Sequence, residues 1–75
     1  MRGHISASPW ARNLVGDRLD GLAVPDGLIV NLLADTPRGP LFARVSRREG
    51  DYMVDVARIS GRVDDVLAKL AEVAA

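Results

Sequence analysis

The stretch LIVNLLA, residues 28–34, decides which fold this sequence adopts. It is apolar except for Asn31, and its apolar positions also match the spacing of one helix face. Seven residues are short for a helix and ordinary for a strand, so we expect a β-strand here. Both faces of such a strand need shielding from water. Either two helices cover one face each, or both pack on one face and leave an apolar strip for a second chain.

The residues that follow this strand predict a β-hairpin. Residues 35–40 hold two prolines and one glycine, which is typical of a connecting loop. The runs 41–48 and 51–59 come next, and side chains alternate between two faces along each of them. This alternation predicts a core face shared by both runs and formed by Leu41, Ala43, Val45, Tyr52, Val54 and Val56.

The turn of this hairpin has two candidate positions. Gly50-Asp51 suits a type II′ turn, whose twist matches that of the flanking strands. It places Val45 opposite Val56 and Ser46 opposite Asp55. A turn one residue earlier, at Glu49-Gly50, shifts every pair along the hairpin. Both registers keep the same predicted core face.

A first helix is predicted before these strands. Ser8 is a good N-cap, and the apolar spacing that follows predicts a helix over residues 9–20, closed by Gly21. Trp10 lies on the apolar stripe of this helix, so we expect it in the core. Residues 1–7 show no regular spacing of apolar residues and are expected to form a flexible tail.

A second helix is predicted at the end of the chain. Ser60 suits its N-cap, and an amphipathic pattern runs over residues 61–74. The complete order is α-β-β-β-α, so we expect an α+β fold with a three-stranded antiparallel meander. Residues 8–75 then form a single small domain.

This element order is similar to that of double-stranded RNA-binding domains. Gly39-Pro40 before the second strand, with Phe42 just after, also resembles their pattern. Membership would imply contact between the last helix and RNA phosphates. This helix opens instead with the acidic pair Asp64 and Asp65, where those domains are rich in lysine.

Composition excludes several classes of function. The 75 residues are 48% hydrophobic, and ten basic residues balance ten acidic ones, which does not favour a polyanion-binding protein. Without cysteine the chain has no disulfide and no thiolate chemistry. The longest apolar run is far below the roughly twenty residues that cross a bilayer. No secretory signal is apparent, so we expect a cytoplasmic protein that does not enter a membrane.

Catalysis is not expected either. The only histidine, His4, lies in the predicted tail with no partner for nucleophilic chemistry. The acidic residues show no spacing typical of a metal site, and no glycine-rich phosphate loop occurs. We therefore expect no catalytic residue, no metal and no cofactor.

The apolar excess of the sheet suggests a protein-interaction module, such as an adaptor, subunit, inhibitor or antitoxin-like regulator. Its partner would be another protein or a second copy of the chain, giving a homodimer. The expected contact surface is the sheet around Phe42, Arg44, Arg48 and Met53. The alternative is a nucleic-acid-binding hairpin that grips phosphates with Arg44, Arg47 and Arg48.

Overall fold

A computed structural model describes residues 3–74 and has an α+β fold, as predicted. The chain forms a four-stranded sheet in the order β1-β2-β3-β4, in which β1 is parallel to β2 and the remaining pairs are antiparallel. A short 3-10 turn, Gly16–Leu19, follows the first helix. The bounds are β1 His4–Ala7, α1 Pro9–Val15, β2 Leu28–Ala34, β3 Leu41–Glu49, β4 Tyr52–Gly61 and α2 Val63–Ala74.

The strand predicted over residues 28–34 is confirmed as β2. It lies inside the sheet, with β1 on one side and β3 on the other. Both of its edges are therefore hydrogen-bonded, which suits a segment of this apolar content. Val30, Leu32 and Ala34 point towards the helices and are buried.

Strand β1 corrects the predicted element order. Residues 1–7 were expected to be a tail, and three antiparallel strands were expected in the sheet, but His4–Ala7 adds a fourth, parallel strand. Ile5 and Ala7 lie beside Val30 and Leu32, so the edge of β2 gains an apolar partner. Residues 1 and 2 lie outside the described residues.

Helix α1 is shorter than predicted. Ser8 is its N-cap as expected, and Ser8 Oγ accepts a hydrogen bond from the Ala11 amide at 3.4 Å. The helix ends at Gly16, where φ is +57°, so the predicted cap at Gly21 is wrong. The buried residues of this short helix are Ala11 and Val15, which lie four positions apart on one side of it. Trp10 is 45% exposed rather than in the core.

The hairpin turns at Gly50-Asp51, as the type II′ composition predicts. Gly50 has a φ of +61°, Glu49 pairs with Tyr52, and Ser46 pairs with Asp55. Beyond that pair a β-bulge interrupts the register between Val45 and Ser46.

The bulge changes which residues of β4 face the core. Val45 pairs with Ala57 and not with Val56 as predicted, so Val56 is the extra residue of the bulged strand and is exposed. Beyond the bulge, Ala57 and Ile59 pack against the core instead.

Tyr52 and Val54 are predicted core positions that are also exposed, and here the bulge is not the cause. They pair with Glu49 and Arg47 in the predicted register, but they lie at the turn end of the hairpin, where these neighbours are exposed too. Tyr52 is 77% exposed.

Helix α2 confirms the predicted C-terminal helix with a different start. Ser60 belongs to β4, opposite Phe42, and therefore does not cap the helix. The first helical hydrogen bond runs from the Val66 amide to the Arg62 carbonyl. Val66 and Leu70 of α2 are buried.

Both helices pack on one face of the sheet, which we call the helix-covered face. Its strand residues belong to the same buried cluster as the inward residues of α1 and α2. Of the two arrangements that β2 permits, the structure has the one in which the helices leave the second face uncovered. The buried cluster consists of Ala11, Val15, Val30, Leu32, Ala34, Leu41, Ala43, Val45, Val66 and Leu70.

Candidate functional site

The candidate site is the face of the sheet opposite the helices, which we call the open face. Strand register and the alternation of side chains assign its residues. Within residues 3–74 no helix covers it. Its members are His4, Ser6, Ile29, Asn31, Leu33, Phe42, Arg44, Ser46, Arg48, Met53, Asp55, Arg58 and Ser60.

Apolar side chains lie at both ends of the open face. Leu33 and Phe42 are neighbours on adjacent strands, and Leu33 is 51% exposed. Met53 lies at the hairpin end, opposite Arg48, and is also exposed. Exposed apolar groups that share a surface with charged ones are typical of an interaction site.

A charged cluster occupies the middle of the open face, with Asp55 at its centre. Arg44 Nε donates to Asp55 Oδ1 at 3.0 Å. Arg58 Nε and Nη2 donate to Asp55 Oδ2 at 3.2 and 2.8 Å. Ser46 Oγ donates to Asp55 Oδ1 at 3.4 Å. One carboxylate therefore holds two guanidinium groups side by side.

The β-bulge makes this cluster possible. In a regular strand two residues three positions apart point to opposite faces, so Asp55 and Arg58 would not meet. The extra residue Val56 brings both side chains to the open face. Arg44 and Arg58 lie directly opposite each other, an arrangement in which like charges repel, and Asp55 offsets this repulsion.

The arginines also act on the acidity of Asp55. Its hydrogen bonds to Arg58 and then to Arg44 hold the pKa of this carboxyl below its ordinary value of 3.8. Asp55 is therefore ionised at neutral pH, and the cluster of two arginines and one aspartate carries a net positive charge.

A groove of about 310 Å³ joins the charged cluster to the apolar end of the open face. Leu33 and Phe42 line one part, and Arg44 and Arg58 line the other. Among the described residues no further protein group pairs with the terminal nitrogens of Arg44. The groove therefore offers an apolar contact and free hydrogen-bond donors side by side.

The predicted contact residues divide between the two faces. Phe42, Arg44, Arg48 and Met53 share the open face. Arg47 lies on the other side of β3 and its Nη2 pairs with Glu49 Oε1 at 2.6 Å. Four of the five contact residues predicted from sequence therefore lie on one face, and Arg47 does not.

Sequence reasoning missed Arg58 and Leu33 as members of this surface. Arg58 reaches it only because of the bulge, for which the sequence around Val56 carries no clear signal. Leu33 was recognisable as the outward residue of an apolar strand, but the side left uncovered by the helices was not predictable.

Two polar residues at the β1 side of the open face, Ser6 and Asn31, are hydrogen-bonded to each other. Ser6 Oγ donates to Asn31 Oδ1 at 2.5 Å, which accounts for the one polar residue of β2. Within residues 3–74 no three His, Asp or Glu side chains group as metal ligands would. Neither α1 nor α2 has the length and apolar character needed to cross a bilayer.

No protein-family model, curated protein or solved structure matches this chain. Function is therefore inferred from the geometry of the open face itself.

Proposed function

We propose that this chain is a non-catalytic interaction module that binds another protein through its open face. The observation that carries the proposal is the groove in which Leu33 and Phe42 adjoin the paired guanidinium groups of Arg44 and Arg58. The expected partner inserts an apolar side chain beside Phe42 and places a carboxylate against the arginines.

The internal hydrogen bonds of the cluster support this proposal. Asp55 restrains Arg44 and Arg58 before any partner arrives, so less side-chain entropy is lost on binding. Guanidinium groups held in this way are suited to charge-assisted hydrogen bonds with a carboxylate. A partner carboxylate would also offset the net positive charge of the cluster.

Charge favours a different protein over a second copy of this chain. The open face carries three arginines against one aspartate, so two copies stacked face to face would bring like charges together. An acidic partner surface meets no such repulsion. The homodimer that the sequence also suggests is therefore an outcome of the test rather than the proposal.

The nucleic-acid alternative has weaker support. It requires Arg44, Arg47 and Arg48 to act together, but Arg47 lies on the other face and pairs with Glu49. Arg44 is already hydrogen-bonded to Asp55. Only Arg48 of the three has no ion-pair partner among the described residues.

The test compares two exposed aromatic positions. Phe42→Asp places a charge on the open face, whereas Trp10→Asp places one at a similarly exposed position on α1. A protein bound by the wild-type chain is measured against both variants by calorimetry, after circular dichroism shows that both fold. We expect Phe42→Asp to weaken binding by at least about tenfold, a loss of roughly 1.4 kcal/mol, and Trp10→Asp to leave it unchanged.

A charge-reversal variant and two binding assays distinguish this proposal from nucleic-acid binding and from homodimerisation. Arg44→Glu should also weaken partner binding, because it replaces the proposed carboxylate contact with repulsion. A salt-sensitive gel shift with DNA or RNA that is lost on Arg48→Ala would instead support the nucleic-acid alternative. A twofold mass in light scattering that Phe42→Asp abolishes would assign the open face to a homodimer. Equal binding by wild type, Phe42→Asp and Arg44→Glu would refute any role of this face.

A further inference from the structure

A second cavity lies on the helix-covered face, separated from the open face by the sheet. Its volume is about 280 Å³, and it lies between the end of α2 and the segment that leads into β2. The buried side chains of Val30 and Val45 line it from the sheet, and Leu70 and Val73 line it from α2. Every described residue of its wall is glycine, alanine, valine, leucine or isoleucine.

The cavity has a structural origin. Gly21, Ala23 and Ala71 are small wall residues, so the segment before β2 and the last turns of α2 do not fill the space between them. The segment itself has no regular secondary structure from Leu22 to Pro25. Water inside this cavity would be poorly hydrogen-bonded, because no described side chain of the wall is a donor or an acceptor.

Size and chemistry define what would occupy it. An apolar cavity of roughly 150 Å³ in another protein stays dry and holds benzene. The present cavity, at about 280 Å³, is nearly twice as large. The cavity is open to solvent on the side of Gly21, Ala23 and Ala71, which are exposed. A charged group placed inside it would lose hydration and find no charged partner among the described side chains of the wall, which favours an uncharged ligand.

We propose that this cavity is a binding site for an uncharged apolar small molecule of about the size of two fused aromatic rings. The ligand would contact Val30 and Val45 on the sheet and Leu70 on α2. Apolar burial drives such binding, and binding to the folded chain alone raises the temperature of unfolding. The site is independent of the proposed partner surface, since the two lie on opposite faces of the sheet.

The test titrates the full chain with naphthalene and, as a charged ligand of similar shape, with 2-naphthoate. Methyl resonances of valine and leucine report the site of binding, and thermal unfolding reports the effect on stability. We expect naphthalene to shift the methyl signals of Val30, Val45 and Leu70 and to raise Tm by several degrees. 2-Naphthoate should do neither.

Two matched variants on α2 test the location. Ala71 lines the cavity and Ala68 does not, yet both are exposed on the same helix. Ala71→Trp should weaken naphthalene binding by about tenfold or more because the indole competes for the space, and Ala68→Trp should not. Intermolecular NOEs between naphthalene and the Leu70 methyls provide a second readout that does not depend on either variant.

Three results would overturn the proposal. The first is an absence of methyl shifts with naphthalene while the chain is folded. The second is equal binding of naphthalene and 2-naphthoate, which would mean that the wall does not select against charge. The third is equal weakening by Ala71→Trp and Ala68→Trp, which would place the ligand elsewhere. None of these results bears on Phe42 or Arg44, so they leave the proposed protein contact untouched.

Discussion

The two faces of the sheet are built from the same strands and yet differ in what covers them. On the helix-covered face, apolar residues from the strands and both helices form one buried cluster. On the open face, apolar residues such as Leu33 and Phe42 remain exposed beside charged ones. The contrast shows that hydrophobicity alone does not determine burial; the positions of the helices do.

Neighbouring leucines of β2 offer the sharpest test of this contrast. Leu32 is 1% exposed on the helix-covered face and Leu33 is 51% exposed on the open face. We expect Leu32→Ala to lower the free energy of unfolding by about 2–5 kcal/mol, because it removes buried contacts and leaves a cavity. Leu33→Ala should cost less than about 1 kcal/mol in the isolated chain. Urea denaturation measures both, and equal losses would mean that the open face is covered in solution.

The hairpin turn decides which residues of β3 and β4 pair with each other, and it provides the next largest effect. Gly50 has a φ of +61°, which an alanine adopts only with strain. Gly50→Ala should lower the free energy of unfolding by about 1–2 kcal/mol. Gly21→Ala is the control, since its added Cβ meets only the Arg18 carbonyl at 3.6 Å. If the two variants unfold at the same urea concentration, the turn is not at Gly50-Asp51.

Two serines allow the stabilising effect of a hydrogen-bonded side chain to be compared with that of an exposed one on the open face. Ser8 Oγ accepts from the amides of Ala11 and Ala34, so it joins the start of α1 to the end of β2. Ser8→Ala should lower the free energy of unfolding by about 1 kcal/mol. Ser60 is exposed on the open face, and we expect Ser60→Ala to change stability by less than about 0.5 kcal/mol. A larger loss for Ser60→Ala than for Ser8→Ala would contradict this result and support Ser60 as the N-cap of α2.

The smallest effect concerns the charged cluster of the open face. The pKa of Asp55 is lowered in the folded chain, so its ionised form stabilises the fold above the ordinary pKa of 3.8. This contribution is lost as the pH falls through the lowered value. The difference in unfolding free energy between wild type and Asp55→Asn should therefore be present at neutral pH and shrink as the pH falls below the ordinary pKa of 3.8. A difference that stays constant over this range would show that the arginines do not act on Asp55.

Local signals explain what was predictable. The apolar run of β2, the Gly50-Asp51 turn and the amphipathic pattern of α2 each depend on neighbours within one element, and all three are confirmed. The candidate surface was predictable to the same extent: the alternation along β3 brings Phe42, Arg44 and Arg48 to one face.

The sequence patterns fail where burial depends on how elements pack. Trp10 fits an apolar stripe, but Ala11 and Val15 are the residues of α1 that are buried, and Trp10 is 45% exposed. Tyr52 and Val54 keep the predicted side of the hairpin but lie at its turn end, where they are exposed. Only beyond the bulge at Val56 does the alternation itself change, so that Ala57 and Ile59 pack against the core.

Local sequence patterns are enough to predict the class of the fold, the extended state of residues 28–34 and the place where the hairpin reverses, because propensity and turn chemistry act over a few residues. Long-range packing, in contrast, joins His4–Ala7 to the sheet, places Arg58 beside Asp55 through a bulge and puts both helices on one face. Those outcomes depend on which distant segments meet. Pairing the second edge of β2 and burying one shared cluster favour this arrangement over others that the same local patterns allow.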